Sequence, residues 1–132
     1  MIQHTISRLA VWMLAIVMII FGIHHFRLPQ NMLTYVPNYL PGGILWVYVV
    51  GAAFILTGVA FIFNRSVSIA GYILAALLIS FVLMIHLPQY LQAGDPEMRQ
   101  LAFVNLLKDL ALAGFALYIA ANAKHQHLNR QE

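Results

Sequence analysis

Four stretches of roughly 20 apolar residues organise this 132-residue chain. Each is long enough to cross a hydrocarbon core of about 30 Å as a helix. They run over about 6–26, 44–63, 67–85 and 101–121. The balance of the chain agrees, since 62% of residues are apolar and 8% are charged, against about 45–50% and 25% in a soluble domain. Apolar and polar residues do not alternate within these stretches, so membrane strands are the poorer reading. The expected fold is all-α, an integral membrane antiparallel four-helix bundle forming one transmembrane domain over residues 1–132. Arg8 precedes the first stretch as it would in a signal peptide. No small-x-small cleavage site follows, so the segment reads as an uncleaved first span.

The connections fit this plan. Asn64-Arg65-Ser66 is short enough to make spans two and three a hairpin. Residues 27–43 hold Pro29, Pro37 and Pro41 with Tyr35 and Tyr39, a composition suited to an interfacial loop at headgroup level. Residues 87–100 form the third connection, with Asp95-Pro96 as a turn or helix start. Residues 122–132 make a polar tail. Arg8, Arg65, Lys124 and Arg130 fall on one side of the membrane, and Arg27 and Arg99 on the other. Such a split places both termini in the cytoplasm. Leu28-Pro29-Gln30 and Leu87-Pro88-Gln89 follow spans one and three, an echo that a parallel internal repeat would produce.

Several classes of function are excluded. The chain has no cysteine, which removes disulfide scaffolds, thiolate metal sites, Fe–S clusters and thiol redox chemistry. Its net charge of +3 includes no run of Lys or Arg that tracks a phosphate backbone, so nucleic acid is not a partner.

Chemistry concentrates in the fourth span. Of eleven charged side chains, nine fall in tails, loops or span edges, and only Lys108 and Asp109 lie within a span. Each costs about 2.5–3.5 kcal/mol at a helix centre on insertion scales. Asn105, Lys108, Asp109 and Leu112 follow i, i+3, i+4 and i+7 spacing and share a face. Adjacent residues point about 100° apart, so Lys108 and Asp109 each call for a partner on another span. The functional reading is a proton, ion or polar-ligand site. The plainer one is mutual neutralisation, with Asn105 locking helix packing.

His24 and His25 end span one, and His86 ends span three. Span four enters from the same side. Threading therefore brings His25, His86, Asn105, Lys108 and Asp109 to similar depth, with Arg27 just above. Taken singly, a histidine at a helix end is an interfacial residue. Together they form a candidate ligand site at the outer leaflet. Histidine switches charge near neutral pH, ligates metal or haem, or donates to a quinone carbonyl. His25 and His86 on facing helices could hold haem, but nothing in their spacing specifies it. No H-x-x-x-H spacing assigns a metal. His125 and His127 in the tail read as solvated. Gly22, Gly51, Gly58, Gly71 and Gly114 fall within spans and read as helix-packing positions.

Gly22-Ile23-His24-His25-Phe26, Pro29 and Val36-Pro37-Asn38-Tyr39-Leu40-Pro41 resemble the first span and loop of DoxX-like membrane proteins. Gly51 and Gly58 resemble that family's glycine-spaced second span. The run from Asn105 through Lys108-Asp109 to Gly114 resembles its fourth. The match covers roughly residues 10–120 as an ordered set of motifs. One position departs: Phe54 stands where many relatives carry glutamate, so a carboxylate role there does not transfer.

The resemblance implies a four-helix protein of the bacterial inner membrane. It also implies a subunit or accessory of a quinone-linked redox system, with a redox enzyme or a second copy as partner. His25 and Lys108 would then polarise a quinone-like headgroup while Asp109 orients Lys108 or accepts a proton. No flavin, nicotinamide or metal signature is present, so an electron carrier would come from elsewhere. Two rival readings are a non-enzymatic membrane scaffold or assembly factor, and a small-solute transporter working as a homodimer.

Overall fold

The computed structural model describes residues 2–123. Helix α1 spans Ile2–Arg27, and a break at Leu28 separates it from the short α2, Pro29–Leu33. Helix α3 spans Ile44–Phe63. Helix α4, Val67–Phe81, continues through a π-helical turn, Val82–His86, into α5, Leu87–Gln92. Helix α6 spans Pro96–Ala121. Among the described residues there is no strand, and four helical segments are long and apolar enough to cross a membrane. The polar tail beyond Ala123, with Lys124, His125, His127 and Arg130, lies outside the described residues.

The third span departs from expectation. Its helix runs to Gln92 and α6 already begins at Pro96, so the connection expected over 87–100 shrinks to 93–95. Pro88 is the residue that suggests an earlier stop, since proline lacks an N–H and its ring crowds the carbonyl four residues back. The backbone accommodates it by widening one turn upstream, where the Leu87 N–H donates to the Val82 carbonyl five residues back. The wide turn has a second effect. Leu74, Leu78, Val82 and His86 are all buried, yet steps of four overshoot a 3.6-residue turn by about 40° each. The π turn offsets that drift and keeps His86 on the buried stripe. Leu28 resolves the other Leu-Pro-Gln triplet differently, leaving helical geometry altogether at φ −130° and ψ 59°. Asp95 then starts α6 as its cap, with its carboxylate accepting from the Glu97 N–H at 3.3 Å and Pro96 following.

Helices α1 and α3 pack along one another, as do α4 and α6, and α3 meets α4. Helix α1 makes no comparable approach to α6. The α1–α3 contact is backbone against backbone. A Cβ on Gly22 would lie 2.6 Å from the Gly51 carbonyl oxygen, and one on Gly58 would lie 2.7 Å from the Ala15 carbonyl oxygen. Gly71 serves α4 and α6 in the same way, with Ala120 Cβ 2.8 Å from its would-be Cβ. Small residues drive close approach where lipid offers no hydrophobic contrast. Gly114 is the exception to the expected packing role: it faces outward on α6, and nothing lies within 4 Å of its would-be Cβ.

The turn at Asn64-Arg65-Ser66 is tight, with Asn64 and Ser66 both at positive φ, 57° and 52°. Val11, Ala15, Phe61, Val67, Ile119 and Ala123 belong to one buried core, dense at the end of the bundle that holds this turn. Along their middle stretches the helices expose many large apolar side chains, among them Met13, Ile20, Leu56 and Ile69, as a lipid-facing surface requires. At the opposite end the bundle opens.

Candidate functional site

A cavity of about 700 Å³ lies between the α1–α3 pair and the α4–α6 pair, at the end where α1 finishes and α6 begins. That volume is in the range of small-molecule sites. Most of its wall is apolar. Phe54, itself buried, is the hub, with ring centroids 6.5 Å from Phe21, 6.1 Å from Phe81 and 5.5 Å from the His25 imidazole. The loop before α3 adds Tyr35, Val36, Pro37 and Leu40.

One side is polar. His25 from α1, His86 from the π turn, and Asn105, Lys108 and Asp109 from α6 all line the cavity. Five of the seven expected site residues therefore converge. His24 and Arg27 do not line it. His24 is turned about 100° from His25 on the same helix, and Arg27 ends the helix in an exposed position.

The imidazole of His86 meets Asp109 across two helices, with Nε2 2.9 Å from Oδ2. His86 is six residues before Gln92, whereas Asp109 is thirteen beyond Pro96. The two still meet because side chains lean toward their own helix N-terminus, and these helices run antiparallel. Asp109 thus finds its partner on another span, as its insertion cost demands, and that partner is His86 rather than Lys108. Because α6 starts at Pro96 rather than near residue 101, Lys108 sits about 18 Å along it at 1.5 Å per residue, farther than the sequence suggests. Among the described residues its ammonium makes no hydrogen bond or ion pair.

Hydrogen-bond partners fix the roles of both histidines. A carboxylate only accepts, so with Asp109 ionised His86 Nε2 carries the hydrogen and donates. His86 Nδ1 is buried without a partner. The His25 Nδ1 lies 2.7 Å from the Phe21 carbonyl oxygen. A carbonyl also only accepts, so Nδ1 carries the hydrogen and Nε2 presents a lone pair. Among the described residues no three His, Asp or Glu side chains gather as a metal site.

The aromatic hub and the loop wall are the parts that sequence reasoning missed. Val36, Pro37, Leu40 and Pro41 are more apolar than an interfacial loop needs, which was the available signal.

Fold and site together define a small polytopic membrane protein whose four-helix bundle holds a cavity that is apolar on most sides and polar on one. Residues 14–121 match the family described as a domain of unknown function (DUF8561), and the chain belongs to that family. No curated protein and no solved structure matches it.

Proposed function

We propose that this protein binds a quinone-type ligand from the bilayer in the cavity and acts as a membrane subunit or accessory of a quinone-linked redox system. The observation that carries this reading is the convergence of His25, His86, Asn105, Lys108 and Asp109 on one side of an otherwise apolar, aromatic-rich cavity. An aromatic headgroup fits among Phe21, Phe54 and Phe81. Lys108 and Asn105 are donors for a ring oxygen. Asp109, held by His86, acts as an acceptor and does not orient Lys108. Electrons pass to or from a partner, since the chain offers no cysteine or flavin motif of its own.

The resemblance to DoxX-like proteins supports the same reading through its ordered motifs. With Phe54 in place of glutamate, the second span brings no carboxylate to the cavity, and the polar side is built from spans one, three and four. That resemblance and the Lys/Arg split also favour the bacterial inner membrane with both termini cytoplasmic.

The test is a titration of purified, detergent-solubilised protein with a short-chain quinone. Saturable binding in wild type that weakens in Lys108→Met supports the proposal. Absence of saturable binding, or binding in Lys108→Met equal to that of wild type, overturns it.

A further inference from the structure

We infer that the cavity selects the reduced, hydroxyl-bearing form of its ligand, a hydroquinone, over the oxidised quinone. This rests on the quinone-type reading above and adds the redox form to it.

The geometry at His25 carries the inference. Its Nδ1–H is committed to the Phe21 carbonyl at 2.7 Å, so Nε2 is an acceptor and not a donor. The ring is held in that pose. It stands edge-on to Phe54 at 88°, and a Cβ added at Gly51 would lie 2.8 Å from His25 Cβ, so helix α3 passes directly behind it.

The second acceptor is on α6. One Asp109 oxygen receives the His86 N–H, and a carboxylate has about four lone-pair sites in all. The cavity side therefore pairs two groups that only accept, His25 Nε2 and the Asp109 carboxylate, with Lys108, which only donates, and Asn105, whose amide does both.

A hydroquinone hydroxyl both donates and accepts, so it satisfies members of both sets. A quinone oxygen only accepts. It can meet Lys108 or Asn105, but at His25 it sets lone pair against lone pair and leaves that acceptor unpaired. A site built to receive a hydroxyl hydrogen rejects analogues that lack one. The expected discrimination is about tenfold or more in affinity.

The experiment is anaerobic calorimetric titration of the full chain in detergent with three probes: tetramethylhydroquinone, tetramethylquinone, and the dimethyl ether of the hydroquinone. The hydroquinone binds tightest, and the quinone and the ether, which both lack a donor, bind about tenfold or more weakly. His25→Phe keeps the ring bulk, removes the acceptor and brings the probes toward parity. Equal affinity of quinone and hydroquinone in wild type overturns the inference and leaves the quinone-type reading standing. A gap unchanged in His25→Phe also overturns it, because the selectivity then lies elsewhere. No binding of any probe removes both readings. Should His25→Phe fail to fold, the ether comparison on wild type still decides.

Discussion

His86 and Asp109 join the third and fourth spans through one hydrogen bond, Nε2 to Oδ2 at 2.9 Å, with 11% and 20% of their side chains exposed. Removing either partner strands the other in a poorly solvated place. His86→Leu and Asp109→Leu are each expected to destabilise the bundle by about 1–2 kcal/mol. The double variant should lose less than the sum, with a coupling of about 0.5–2 kcal/mol. Reversible unfolding in mixed micelles measures the cycle, and strict additivity would show that the pair contributes nothing.

Pro88 bears on the same bond from a distance. The π turn ahead of it keeps His86 on the buried stripe. Pro88→Ala restores an N–H and lets that turn tighten. The expected result is a fall in the His86–Asp109 coupling toward zero in the Pro88→Ala background, while overall helicity is kept. Unchanged coupling in that background would mean that the proline does not set the direction of His86.

The glycines separate into two groups. Gly22→Ala and Gly58→Ala push a methyl against a carbonyl oxygen of the facing helix and are expected to destabilise by about 1–3 kcal/mol. Gly114→Ala meets open space and is expected to be neutral or stabilising by up to about 1 kcal/mol through helix propensity. Thermal melts of the three variants in one detergent rank them. Equal losses at all three positions would contradict the packing.

A chain without cysteine permits single-site labelling. Tyr39→Cys, in a position 70% exposed, and Ser66→Cys bracket α3 and are expected to react with an impermeant maleimide from opposite sides of the membrane. With cytoplasmic termini, Tyr39→Cys is the one labelled from outside. Phe61→Cys, at a fully buried position, stays protected. Labelling of both loop positions from one side would rule out a spanning α3.

The spans were legible because hydropathy over some 20 residues is a one-dimensional signal. The convergence of His25, His86, Asn105, Lys108 and Asp109 was legible too, since threading an antiparallel bundle fixes which residues share a depth. Depth alone leaves pairing open. That Asp109 takes His86 depends on side-chain lean and on a π turn, neither of which shows in composition. The same turn hid the end of the third span, because Pro88 reads as a stop wherever the register cannot widen. In the sequence Phe54 stands out only as a departure from the resembled pattern, and its place as hub for the three rings of Phe21, His25 and Phe81 follows from the fold. The composition of residues 27–43 suits the headgroup layer, but composition does not say which way a loop folds, and Tyr35 and Leu40 turn onto the cavity.

The two glycine-cemented helix pairs have a mechanical consequence. Each pair meets backbone to backbone, so neither can loosen or tighten internally by much. The pairs are linked between α3 and α4 by the three-residue Asn64-Arg65-Ser66 turn, two members of which already sit at positive φ. That turn lies at the end of the bundle away from the cavity. The molecule is thus built like tweezers, with two stiff arms and a short pivot at the base. A small rotation at the pivot becomes a larger displacement at the tips, where His25 sits on one arm and Asp109 on the other.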